Sequence, residues 1–476
     1  MQMLSTGEAA AGAKAFLRPS SVAVVGAGDR LTSSGGAVLR NLVRSGFRGR
    51  LVPVNPKGGE LLGLPVARSL LDVVPACELA VIVVRPDAIL EVVREAAATG
   101  HRNVLILPGG FAESGDEGKA RDRALRALAE EHGMTVGGPN CAGVINLTDP
   151  EAPFAATFLR DLPRGGGVAL VSQSGAIAEE VIAASHAMGI AIGALVSVGN
   201  AMHLGLAEYV EELGSDPACR AVLLYAESFG DAERFLRLAR RVSSQKPVAA
   251  LIGGRTPPGR SAVFRHTGSS ALTDDQAEAF CRACGMVRVT NLRRLMLAGK
   301  AFGAYPQGIG SRVLVLSNSG GPGVLCTDQC ALEGLVLPQL PAGYAERLRA
   351  FLPPEAAVAN PLDLLADARE ERFGDTLSAA LTEAAAAYDA VLVVHVVPFM
   401  VDATPVVERL AQSARGASLP ILHSMMGTLE RKPQWAAIME SSGVPFFDNA
   451  EDMAEAAGLL ARRRSLREQL VSDQPA

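Results

Sequence analysis

His266 is the residue around which this chain can build chemistry. A neutral imidazole is nucleophilic near pH 7, so it can accept a phosphoryl group as well as a proton. It lies in a glycine- and proline-rich stretch, residues 253–270, directly after the apolar run Pro247-Val-Ala-Ala-Leu-Ile252. Three other strand ends in the same part of the chain carry Ser174-Gly175, Asn200 and Glu227. A carboxylate beside a histidine orients the ring and steadies its charged form. A strand that feeds Ser172-Gln-Ser-Gly-Ala into a helix offers an anion two hydroxyls, free amides and the positive end of the dipole. Together these parts suit phosphoryl transfer through a histidine. Each also has a plainer reading: Ser172 or Ser174 as a simple N-cap, Glu227 as a cap or surface charge, His266 as a solvated loop residue.

The elements that must position these residues follow one pattern. Short apolar strands at Ser21-Val-Ala-Val-Val25, Arg50-Leu-Val-Pro-Val54, Leu79-Ala-Val-Ile-Val-Val84, Asn103-Val-Leu-Ile-Leu107 and Met134-Thr-Val-Gly137 alternate with helical or turn sequence. That alternation predicts a parallel sheet covered on both faces, here a Rossmann-like domain over residues 1–150. Its strand ends bring Gly26, Ala27, Lys57, Pro86, Pro108, Gly109 and Asn140 to one sheet edge, where α/β folds bind ligands. Gly26-Ala-Gly28 invites a dinucleotide, but Leu31 stands where the third glycine belongs, and Asn55-Pro-Lys57 replaces the ribose-binding acid. A lysine there suits a phosphorylated ligand, or is an ordinary surface side chain.

A second α/β domain is expected over residues 151–305, with strands near 168–171, 194–198, 221–225, 247–252 and 287–289. A third is expected over residues 306–476. In the third, Ser317-Asn-Ser-Gly-Gly-Pro-Gly323 echoes the Ser172 turn, and Leu335-Val-Leu337, Ala390-Val-Leu-Val-Val394, Pro420-Ile-Leu422 and Val444-Pro-Phe446 read as strands. His395 and His423 fall in or at buried strands and read as polar residues whose hydrogen bonds are satisfied.

Composition narrows the function classes. The 476 residues are 49% apolar but only 4% aromatic, with a formal charge of -5. An acidic balance and the lack of a long basic block argue against nucleic-acid binding. No apolar run approaches a membrane span, and no secretory signal opens the chain. Seven scattered cysteines point to a reducing, cytoplasmic setting. Cys281-x-x-Cys284 has no second ligand pair nearby and reads as structural, so no metal site is expected.

The ordered motifs Val24-Val-Gly-Ala27, Pro53-Val-Asn-Pro-Lys57, Gly138-Pro-Asn-Cys141, Val171-Ser-Gln-Ser-Gly-Ala176, Ser197-Val-Gly-Asn200, Gly254-Arg-Thr256, His266-Thr-Gly268 and Gly320-Gly-Pro-Gly323 carry a resemblance. The chain resembles the α subunit of the NDP-forming acyl-CoA synthetases, relatives of succinyl-CoA synthetase. The resemblance implies a Rossmann-like CoA-binding domain followed by two flavodoxin-like parallel-sheet domains. It maps His266 onto a phosphohistidine and Glu227 onto the carboxylate that steadies it. Ser174, Gly175 and Asn200 fall on the phosphate side. Gly26, Ala27, Lys57, Pro86, Pro108, Gly109 and Asn140 fall on the side of coenzyme A. The implied partners are a small carboxylic acid, its acyl-CoA and a separate ATP-grasp β subunit that carries ATP or ADP with Mg2+, in a hetero-oligomer or with α paired to itself. Arg265 and Ser269-Ser270 depart from the family pattern around the histidine. The competing readings are a non-catalytic CoA- or acyl-CoA-binding regulator of the same fold and an NAD-dependent oxidoreductase.

Overall fold

The computed structural model describes residues 6–472 apart from Leu31, Gly268, Ser269, Phe399, Met400 and Thr428. Two compact units divide the chain, Met1–Thr290 and Asn291–Ala476. The first contains two sheets. Its five-stranded sheet runs in the order Arg50–Val54, Ser21–Val25, Leu79–Ile82, Asn103–Ile106, Thr135–Gly137, with every pair parallel. The inner strands are almost wholly buried, which is why they read as unbroken apolar runs rather than as alternating ones. All five carboxyl ends therefore open on one edge, and the loops carrying Gly26, Lys57, Pro86, Gly109 and Asn140 leave from it.

The second sheet of this unit has seven strands. Its order is Val287–Val289, Val248–Ile252, Ala221–Ala226, Val168–Ser172, Ile192–Ser197, Gly143–Asn146, Phe154–Thr157. Gly143–Asn146 runs antiparallel to both of its neighbours, Ile192–Ser197 and Phe154–Thr157. Sequence pattern missed both as strands of this sheet. Phe154-Ala-Ala-Thr157 is poor in β-branched residues, and its burial comes from the helix Ser34–Ser45 lying on it. Asn41 on that helix donates to the carbonyls of Thr157 and Leu159 at 2.8 and 2.9 Å.

One expectation near the centre of the second sheet is corrected. Residues 253–270 are not all loop, because Pro257–Thr267 forms a helix. Proline is compatible with a first helical turn, where its missing N–H leaves no bond unmade. His266 therefore stands in the last turn of a helix. Gly268 of the His266-Thr-Gly268 motif, and Ser269 of the departure beside it, lie outside the described residues.

In the second unit the sheet order is Leu362–Asp363, Val313–Ser317, Ala390–Val396, Ile421–Met426, Phe446–Phe447, all parallel. The expected strand at residues 335–337 is reduced to a single bridge between Val336 and Arg312. Pro338 follows at once, lacking the N–H that a ladder needs. The helix Leu292–Ala304 belongs to this unit and packs along Ala450–Ser472. Arg294 pairs there with Glu333 and Glu455, each at 2.9 Å.

The expectation that His395 and His423 are satisfied is also overturned. Nδ1 of His395 and both ring nitrogens of His423 are buried without a hydrogen-bond partner among the described residues. The two rings stack with centroids 5.7 Å apart, with Phe373 against His395 and Phe446 against His423. The strand backbones are committed to the ladder and aromatic rings flank both imidazoles, so no acceptor reaches those nitrogens. Burial holds the His395 imidazole down to about 4, and it holds His423 well below the ordinary histidine value. None of the described helices is long and apolar enough to cross a membrane.

Candidate functional site

His266 meets its expected carboxylate. Nδ1 of His266 lies 3.0 Å from Oε2 of Glu227, across 39 residues of sequence. The strand Ala221–Ala226 ends just before Glu227, and its parallel neighbour Val248–Ile252 leads into the helix carrying His266. The Glu227 side chain is only 8% exposed, whereas that of His266 is 68% exposed. With Nδ1–H donated to the carboxylate, the neutral ring turns the lone pair of Nε2 outward. That arrangement fits a nucleophile with a fixed tautomer and an open face.

Two residues that sequence reasoning passed over hold Glu227 in place. The hydroxyl of Tyr225 donates to Oε1 of Glu227 at 3.1 Å. Burial and the neighbouring carboxylate push the Tyr225 phenol up, so it stays a donor. Gln173 accepts from the backbone amides of Glu227 and Ser228, at 2.5 and 3.1 Å, and donates to the Ser228 carbonyl at 2.8 Å. Gln173 sits inside the Ser172-Gln-Ser turn, whose serines alone suggest an anion cradle; the glutamine between them is the available signal.

The anion cradle and the N-cap prove to be one structure. Ser174 is the N-cap of Gly175–Met188 and accepts from the Ile177 amide at 3.3 Å. Ser172 donates to the Ser174 carbonyl at 2.7 Å and accepts from its amide at 3.1 Å. Both hydroxyls are thus engaged locally. The donors left for an anion are the first amides of the helix, Gly175 and Ala176, with the dipole behind them. In the second unit Ser317 repeats the Ser172 pattern on Ser319, at 2.7 and 3.0 Å, while Ser319 makes no side-chain cap bond. Arg265 donates to the Ser261 hydroxyl at 3.0 Å, one turn back along its own helix.

Asn200 departs from its expected company. Its side-chain amide donates to Glu113 at 2.5 Å and its carbonyl accepts from Asn140 at 3.3 Å. The residue therefore joins the loops of the first sheet. It remains close in the fold to the cradle, since Ser197 pairs with Ser172 in the ladder and Val198 donates to the Ser172 carbonyl at 2.9 Å.

The other residues of the first sheet edge assemble as expected in place. The Gly26 amide donates to the Val54 carbonyl at 3.0 Å, and Asn55 donates to the Ala27 carbonyl at 2.7 Å. Asn55 also accepts from the Lys57 backbone amide, and Lys57 itself is exposed. Pro86 packs under the Gly110 turn, and the Asn140 amide donates to the Pro108 carbonyl at 2.9 Å. Gly26 and Gly35 approach closely, and a Cβ on Gly35 would lie 2.0 Å from the Gly26 carbonyl oxygen. Gly35→Ala should therefore cost about 3 kcal/mol or more and disturb the whole turn. A melting temperature within a degree of the parent would contradict this close packing.

A cavity of about 590 Å³ lies on the flank of the helix Ser34–Ser45, lined in part by Arg40, Arg44, Leu62, Phe158 and Arg160, and none of the expected site residues borders it. The His266–Glu227 pair lies instead at strand ends, with the histidine side chain exposed. All seven cysteines are free and buried. Cys281 and Cys284 lie on the helix Asp274–Cys284, and burial pushes the Cys284 thiol up to about 12. Among the described residues no group of three His, Cys, Asp or Glu side chains could hold a metal ion.

Three family models match in order along the chain: a CoA binding domain over residues 20–146, a succinyl-CoA ligase like flavodoxin domain over 165–302 and a ligase-CoA domain over 313–466. The α subunit of the ADP-forming acetate–CoA ligase II of Pyrococcus furiosus is 32% identical over 94% of this chain and 97% of its own length. The α subunit of ligase I from the same organism is 30% identical, again over 94% of this chain. The ADP-forming 4-hydroxybutyrate–CoA ligase of Nitrosopumilus maritimus is 32% identical over 77% of this chain, which spans only 52% of that longer protein. Among solved structures, the dinucleotide forming acetyl-coenzyme A synthetase 1 of Ca. Korarchaeum cryptofilum, in complex with phosphate and ADP, superposes with a TM-score of 0.90 at 28% identity, covering 97% of this chain and 99% of that one.

Proposed function

The chain belongs to the family of ADP-forming acyl-CoA ligases, in the form of their α subunits, and we propose that it interconverts acyl-CoA, ADP and phosphate with carboxylic acid, CoA and ATP through a phosphorylated His266. The observation that carries this reading is the 3.0 Å bond from an exposed imidazole to a buried carboxylate.

In the proposed sequence phosphate displaces CoA from the acyl carbon, forming an acyl phosphate and free thiol. Nε2 of His266 then attacks the phosphorus, the carboxylate of the acid leaves, and the ring becomes cationic. Glu227 stabilises that charge through Nδ1–H, and Tyr225 and Gln173 keep the carboxylate aimed. The phosphoryl group finally passes from Nε2 to ADP. The amides of Gly175 and Ala176 suit the phosphate, with Ser174 holding the turn. We assign Gly26, Ala27, Lys57, Pro86, Pro108, Gly109 and Asn140 to coenzyme A, and Asn200 to the junction of the two ligand sites. The domain bounds 1–150, 151–305 and 306–476 remain part of this proposal, supported by the order of the three matched models.

Because relatives of similar length are named α subunits, the proposal includes a partner chain. An ATP-grasp β subunit carrying ADP and Mg2+ in the cytoplasm is its specific form. The test is ATP formation from acetyl-CoA, ADP and phosphate with and without such a partner. Turnover only with the partner supports the ligase. Tight CoA binding with no turnover under any pairing would leave the regulatory reading.

Glu227→Gln separates charge from geometry. The amide still reaches His266 and Tyr225 but no longer balances an imidazolium, so phosphorylation should slow about 10- to 100-fold without vanishing. Rapid-quench labelling measures it, and an unchanged rate would remove Glu227 from the mechanism.

A further inference from the structure

Glu113 belongs to no motif singled out in the sequence, yet it is the most heavily bonded side chain of the CoA-side loops. One carboxylate oxygen accepts from the backbone amides of Gly110 and Phe111, at 2.5 and 3.1 Å. The other accepts from the Asn200 side chain at 2.5 Å. These bonds hold the Glu113 carboxyl below the ordinary range despite partial burial, so it is charged wherever the protein is folded near neutrality.

A carboxylate can only accept, and that property orients everything beyond it. Asn200 must turn its NH2 toward Glu113, which leaves its carbonyl facing the other way. That carbonyl accepts from Asn140, so the NH2 of Asn140 is fixed in turn. The Asn140 carbonyl oxygen is then directed at Gly109, where a Cβ would lie 3.0 Å from it and 2.9 Å from Glu113. The chain Glu113–Asn200–Asn140 thus links a turn after the first sheet with a turn after the second. Asn140 itself has φ 61°, a left-handed backbone that a short polar side chain tolerates.

We propose that Glu113 is a positioning residue of the ligase site, fixing the amides of Asn200 and Asn140 so that the CoA-side and phosphate-side turns are set as one body. The inference rests on the ligase reading above. Glu113 does not touch the reacting atoms; it acts through the two asparagines. It should therefore appear in ligand affinity before it appears in the chemical step.

Glu113→Gln is the informative change. Its carbonyl can keep both backbone bonds to Gly110 and Phe111, while its NH2 confronts the NH2 of Asn200. Turn capping survives and orientation is lost. Calorimetric titration with CoA should give about tenfold weaker binding or more, with the melting temperature close to that of the parent. KM for CoA should rise more than kcat falls. Asn200→Ala should weaken CoA binding to a similar degree, and the Glu113→Gln/Asn200→Ala double variant should be no weaker than the worse single one. Binding within twofold of the parent for Glu113→Gln, or fully additive losses in the double variant, would overturn the positioning role. Should Glu113→Gln melt much earlier than the parent, Asn200→Ala alone carries the test, and unaltered CoA binding in it overturns the proposal. A parent protein that binds no CoA at all would instead overturn the ligase reading, and this inference with it.

Discussion

His266→Asn is expected to abolish acid-labile phosphorylation by labelled ATP in the presence of an ATP-grasp partner, and to lower turnover by about 10³-fold or more. Asparagine is the sharp choice because its side-chain NH2 falls near the position of Nδ1 and can still donate to Glu227. The helix Pro257–Thr267 and the buried carboxylate then keep their partner, and what is removed is the outward Nε2. The mutant should fold and bind CoA like the parent, since the bond to Glu227 is kept. Quantitative label retained in the mutant would sink the phosphohistidine assignment whatever the family resemblance.

The second large effect concerns stability. His395 and His423 are held neutral by burial, so the folded chain takes up their protons less readily than the unfolded chain. Above about pH 6.5, the unperturbed histidine value, both states are neutral and nothing is lost. As pH falls below that value the unfolded chain binds protons that the folded one excludes. Each ring then costs up to ~1.4 kcal/mol per pH unit, for His395 until its folded value near 4 is reached. Against a net stability of roughly 5–15 kcal/mol, two such rings destabilise the second unit severely by pH 5. Urea melts at pH 7, 6 and 5 should show the loss, and His395→Phe/His423→Leu should flatten it over that range. His101 and His203 are also lowered by burial, but they lie in the first unit and remain in both proteins, so the difference isolates the stacked pair. Parallel pH curves for parent and variant would show that the two rings are not the source.

The legibility of this protein differs between its fold and its site. Alternating apolar strands and helices are local patterns, and the parallel sheets expected from them stand in both units. What failed locally failed for identifiable reasons. Phe154–Thr157 became a strand because a helix from elsewhere covers it, whereas residues 335–337 did not because Pro338 ends the pairing. The proline pair after Thr256 reads as a loop breaker, yet it opens a helix, since prolines suit a first turn as well as a break.

Sequence by itself determined the residue types on which the chemistry depends: a histidine after a buried strand, a carboxylate at a neighbouring strand end, and a serine–glycine turn opening a helix. Tertiary structure decided which of them meet. Parallel crossover brings Glu227 to His266 across a sequence separation of 39, and it turns Asn200 away from them toward Glu113 and Asn140. It also buried His395 and His423 against aromatic rings and left nitrogens without partners where the strand pattern implied ordinary satisfied residues. The physical reason is range. Backbone propensity and burial are written in neighbouring residues, while the direction of a hydrogen bond depends on which loop the sheet order places opposite.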